Sequence, residues 1–105
     1  MQILKSIVTI QDCRCLVSAA ITGLRNVEIL VFIPKRRGQS ITASWPIIWE
    51  GQDRALCQLN VDPAQFRAQA NQTDVVRFIR RSLSFDKHVN LENKNASKEL
   101  LRIYQ

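Results

Sequence analysis

Three arginines, Arg77, Arg80 and Arg81, recur at three- and four-residue spacing, the interval that brings side chains together on one side of an α-helix. Guanidinium groups are permanently charged and fork-shaped, so such a cluster suits phosphate or another oxyanion. Asp74, one turn before Arg77, partly neutralises it, and the same pattern also describes the solvated side of an ordinary helix. A second basic cluster, Lys35-Arg36-Arg37, is followed by Gly38, where backbone N–H groups could also approach a phosphate. Charged turns of this kind equally protect the strands they join. The two clusters hold six of the fifteen basic residues, and neither contains a carboxylate. On a shared face, Lys35, Arg36, Arg37, Arg77, Arg80 and Arg81 would contact phosphates and lend affinity with little sequence reading.

Other residue types offer less. Trp45 and Trp49 flank a proline and could form an exposed anchor for a protein partner, or simply pack in the core. Cys13, Cys15, Cys57 and His88, the single histidine, would make one set of four zinc ligands. Structural zinc sites separate paired cysteines by about two to four residues, however, and only Arg14 stands between Cys13 and Cys15. No metal or cofactor is expected. Glycine-rich phosphate loops, a nucleophile elbow and paired metal-binding histidines are all missing from the sequence. One histidine and nine scattered acidic residues leave little from which to assemble an active site, so a non-catalytic role is expected.

Composition bounds the class. At 105 residues, with 46% hydrophobic and 23% charged residues, the chain has the make-up of one folded domain and not of a disordered segment. The formal net charge of +6 and a pI near 9.8 favour anionic partners and associations that weaken with salt. No run approaches the ~20 apolar residues of a membrane helix. The opening residues alternate in polarity instead of forming a signal-peptide core. Three cysteines are too few, and odd in number, for a secreted disulfide framework. A cytoplasmic location is expected.

The elements that must position these residues change character midway. Ile3 to Ile10 reads as a strand, Gln11-Asp12 as a turn, and Arg14 to Ile21 as the returning strand of a hairpin. Val27 to Ile33 is almost unbroken in β-favouring residues, as a central strand would be, and Pro34 ends it. Ser40 to Ser44 is a short strand candidate, and Ile47 to Trp49 with Ala55 to Val61 a second hairpin. From Asp62-Pro63 helical signals take over. They predict one helix through Phe66 to about Ala70 and another over Asp74 to Leu83, with Thr73 as a possible cap. Asp86 to Ser97 reads as a polar connector and Glu99 to Tyr104 as a last helical turn or two.

The N-terminal third, from Met1-Gln2 through Val8-Thr9-Ile10, Gln11-Asp12, Leu16, Gly23 and Val27 to Ile33, resembles the opening of small bacterial antitoxins and AbrB-like swapped-hairpin proteins. The resemblance implies a hairpin that pairs with a second chain, a dimer, DNA contact through the swapped sheet and a toxin-wrapping tail. Cys13 stands where that family usually has glycine after the turn aspartate, and residues 62–105 are basic where antitoxin tails tend to be acidic.

The fold expected is α+β: a single domain, residues 1–105, with a mostly antiparallel sheet over residues 2–61 and two or three helices in 62–105 packed on one face. The function expected is binding of nucleic acid, DNA or RNA, through a positive surface. The other reading is a protein-interaction module or assembly subunit docking through Trp45, Trp49 and the Leu100, Leu101 and Tyr104 segment.

Overall fold

The computed structural model describes residues 1–23, 26–66 and 71–89. Alternating β-branched residues give seven strands: β1 (Gln2–Ile10), β2 (Cys13–Thr22), β3 (Asn26–Pro34), β4 (Gln39–Ala43), β5 (Ile47–Glu50), β6 (Arg54–Val61) and β7 (Phe85–Val89). One α-helix, α1 (Gln72–Ser82), precedes β7, and a 3₁₀ turn covers Pro63–Phe66. Five strands form an antiparallel sheet in the order β1-β2-β3-β6-β5, while β4 and β7 pair separately.

This architecture corrects the α+β expectation. The described chain is mostly β, with one α-helix in place of two or three. Asp62-Pro63 opens a 3₁₀ turn, with Asp62 Oδ1 accepting from the Ala64 N–H at 2.9 Å, and the rest of the helix expected there, from residue 67 to about Ala70, lies outside the described residues. The expected connector beginning at Asp86 is strand up to Val89, because β4 offers it an edge in register from Gln39 opposite Val89 to Ala43 opposite Phe85. That long-range pairing leaves no local trace. The proposed turns at Glu99 to Tyr104, with Leu100 and Leu101, lie outside the described residues.

The β1–β2 turn is a two-residue hairpin in which Ile10 faces Cys13. Gln11 and Asp12 have φ of 49° and 64°, the left-handed geometry that matches the twist of the flanking strands. The Gln11 side chain compensates by bridging to β7. Its amide donates to Phe85 O at 2.8 Å and its carbonyl accepts from Phe85 N at 3.2 Å.

On the inner face of the sheet, Cys15, Val17, Ile29, Val31, Ile33 and Cys57 are fully buried. Trp45, Phe66, Val75, Ile79, Leu83 and Phe85 join them in one core, with Phe78 packed edge-on to Phe66 at 5.1 Å and tilted against Trp45 at 6.2 Å. The outer face is different. Ile7, Leu16, Phe32, Leu56 and Trp49 stand opposite one another in register, one on each strand. Ile7, Leu16 and Trp49 are 57%, 40% and 48% exposed, so this row is apolar but open.

Candidate functional site

Helix α1 begins where Asn71 Oδ1 accepts from the Asp74 N–H at 2.9 Å, a side-chain cap that satisfies one of the unpaired donors of the first turn. The expected cap, Thr73, instead lies inside the helix. Val75 and Ile79 bury one stripe of α1. At ~100° per residue the neighbouring stripe is Gln72, Val76 and Arg80, followed by Thr73, Arg77 and Arg81.

That stripe faces β1, the last strand of the sheet. Between them runs a groove of about 760 Å³ lined by β1 residues Leu4, Ser6, Ile7, Val8 and Thr9, and by Gln72, Thr73, Val76, Arg77, Arg80 and Arg81 of α1. Leu4 and Val8 are nearly buried, while Ser6, between them on the same face, is exposed. The small hydroxymethyl group of Ser6 leaves the space under α1 unfilled at that position. Its floor is aliphatic and its rim carries three guanidinium groups. The one ion pair among the described residues is elsewhere, between Lys35 and Glu50, so no described carboxylate is in direct contact with the guanidinium groups of Arg77, Arg80 or Arg81.

The outer wall of the groove is a strand edge. Arg80 Nε donates to Thr9 O at 3.3 Å, so the backbone of Thr9 points away from β2. Backbone groups alternate sides along a strand, and β1 is in regular register from Leu4 to Ile10. Lys5 and Ile7 therefore present their N–H and C=O outward as well.

The second basic cluster has a different fate. Lys35 is only 7% exposed and its Nζ is held by Glu50 Oε1 at 3.2 Å and Gln39 O at 2.7 Å. It clamps β4 to β5, since the same Glu50 oxygen accepts from the Ile41 N–H at 3.1 Å. Arg36 and Arg37 are exposed on the turn, and Gly38 adopts φ 85°. Arg36 lines a smaller hollow of about 400 Å³ with Pro34, Lys35, Gln39 and Lys87. The lining of this hollow shares no residue with the β1–α1 groove. Lys87 joins it through the β4–β7 pairing, which the sequence reading missed, as it missed the strand residues of the main groove.

Trp45 is not an anchor for a partner. It is 4% exposed and packs in the core, because the turn before Pro46 points its ring inward. Trp49 is half exposed on the outer face, where the Arg54 guanidinium lies 5.9 Å from its ring and 4.7 Å from that of Phe32.

Cys15 and Cys57 are buried and unbridged. Desolvation pushes both thiols up to about 11, with Cys13 and Cys57 adding to the effect at Cys15 and Lys87 opposing it. Such thiols are inert near neutral pH. Among the described residues, no three of His, Cys, Asp and Glu gather where they could hold a metal ion. His88 Nε2 lies 3.0 Å from Thr42 Oγ1 across the β4–β7 ribbon. No described helix is long and apolar enough to cross a membrane. Comparison with known proteins finds no matching family model, curated protein or solved structure.

Proposed function

We propose that this chain is a non-catalytic, cytoplasmic binding domain that takes an acidic segment of a partner protein into the β1–α1 groove. The observation that carries this reading is the combination, in one groove, of an aliphatic floor with three arginines that no described carboxylate pairs. Oxyanions attract the rim, and desolvation of apolar side chains against Leu4, Val8 and Val76 adds affinity. Among the described residues the lining contains no histidine, cysteine or carboxylate, so these residues supply no general base or acid of the usual kinds. Three unbridged cysteines fit a reducing compartment.

Nucleic acid is the other polyanion that guanidinium groups suit, and Arg77, Arg80 and Arg81 remain its candidate phosphate contacts. Two observations weigh against it. Among the described residues the groove has no aromatic side chain on which a base could stack. Lys35 is engaged by Glu50, and Arg36 lines a separate hollow, so the positive surface is divided.

The test is fluorescence anisotropy with labelled polyglutamate, duplex DNA and single-stranded RNA as probes. Polyglutamate should bind best, and its affinity should fall with salt. Replacing Arg77, Arg80 and Arg81 together by alanine should weaken it roughly tenfold or more, on the scale of charge-assisted hydrogen bonds. Lys35→Met should change it little. Preference for either nucleic acid, or polyglutamate affinity indifferent to the arginines, refutes the proposal.

A further inference from the structure

We infer that the acidic segment binds as a sixth strand of the sheet, pairing its backbone with the open edge of β1; this rests on the groove being the binding site. Among the described residues β1 ends the sheet, and Lys5 and Ile7 present outward donors and acceptors for which no described strand is a partner. Thr9 O is already taken by Arg80, so Arg80 marks where the added ladder stops. An added strand lies about 4.8 Å beyond β1, alongside the rim formed by Arg77, Arg80 and Arg81. Strand addition of this kind draws affinity from main-chain hydrogen bonds and selectivity from alternate side chains.

The two walls dictate which side chains the segment carries. Those turned inward meet the arginines of α1. Successive inward side chains on an extended segment are about 6.6 Å apart, close to the ~6 Å rise between Arg77 and Arg81 on the helix. Acidic residues at every second position therefore match the rim. The side chains between them turn to the outer face, next to Ile7, where the apolar row of Trp49, Leu56, Phe32, Leu16 and Ile7 ends exposed. Apolar residues there continue the row by one strand. The preferred ligand is thus an extended segment in which acidic and apolar residues alternate.

A second copy of this chain fits the edge poorly. Pairing β1 with β1 would bring two sets of three arginines and two Lys5 ammonium groups together on chains of net charge +6. Lysine on an edge strand opposes such self-pairing, yet it attracts an acidic strand.

Two short peptides of identical composition test the inference: one alternates glutamate and valine, the other groups the glutamates at one end. Calorimetry should give the alternating peptide roughly tenfold higher affinity. Its binding should slow hydrogen exchange at the Lys5 and Ile7 amides in the unmodified protein. Ile7→Pro removes an outward N–H without touching the ladder to β2, a position where an edge strand tolerates proline. It should reduce affinity about tenfold, and more than Ile7→Ala, which keeps the outward N–H and gives up only the side-chain contact with the apolar row. Intact exchange protection at Leu4 and Val8 reports that the variant keeps its sheet. Equal affinity for both peptides with no protection at Lys5 and Ile7 overturns strand addition, even if the arginine substitutions still weaken binding and leave the groove reading standing. Loss of polyglutamate binding itself overturns both. A dimer that Ile7→Pro dissociates, or an oligonucleotide that displaces the alternating peptide without protecting the edge amides, overturns the inference also.

Discussion

Gln11 and Asp12 occupy adjacent left-handed positions in the β1–β2 turn, yet replacing each by glycine should move stability in opposite directions. A left-handed backbone costs a non-glycine residue about 1 kcal/mol or slightly more. Glycine removes that strain but adds roughly 0.5–1 kcal/mol of freedom to the unfolded chain. For Asp12, at φ 64° with an exposed side chain, the balance is about 0.5 kcal/mol in favour of Asp12→Gly. Gln11, at φ 49°, gives up more. Its amide makes two hydrogen bonds with the Phe85 backbone, at 2.8 and 3.2 Å, in a partly buried site. Losing them costs about 1 kcal/mol each, and more where Phe85 N–H and C=O stay dry. Gln11→Gly should therefore destabilise by roughly 1–2 kcal/mol. Gln11→Ala, which keeps the strain and loses the bonds, should be worse by about 0.5 kcal/mol. Urea unfolding followed by tryptophan emission suits the measurement, because Trp45 is buried. At about 4–8 °C per kcal/mol for a domain of this size, melting should rise a few degrees for Asp12→Gly and fall about 4–16 °C for Gln11→Gly. Shifts in the same direction for both glycine variants would refute the reasoning, since the bridge to Phe85 would then carry no weight.

Asn71→Ala removes the only side-chain cap described for α1 and should cost about 1 kcal/mol in urea unfolding. Glu50→Ala strips two hydrogen bonds and leaves the Lys35 ammonium, 7% exposed, with Gln39 O alone; it should destabilise by roughly 2 kcal/mol. Lys35→Met should cost less, because its stem keeps the packing and Glu50, a third exposed, can turn to water; equal losses would speak against this asymmetry. Burial raises Cys15 and Cys57 from an ordinary value of 9.0 to about 11. Folding then favours the neutral thiols, so their contribution is fully present below pH 9 and is lost as pH rises through 11. Urea midpoints should decline across that window, and serine at both positions should flatten the decline. Alkylation near neutral pH should label Cys13 first, since it is the partly accessible thiol.

The sequence by itself determined the local geometry. The almost unbroken β-favouring run of Val27 to Ile33 and the alternation in Ala55 to Val61 mark strands because β-branched side chains pack on a pleated surface, and both are strands, β3 and β6. The period of Val75, Val76, Ile79 and Leu83 places Arg77, Arg80 and Arg81 on the other side of a helix, since that geometry needs only 3.6 residues per turn. Neighbours were decided only by the tertiary structure. A two-residue period says that a strand has two faces, not which strand lies beside it. Hence β7 went unread until β4 paired with it, and β1 became an edge only once the strand order was closed. Charge is non-local in the same way. Lys35 and Arg77 look alike in the chain, but Glu50 pairs with one, while the other lines an open groove and meets no described carboxylate.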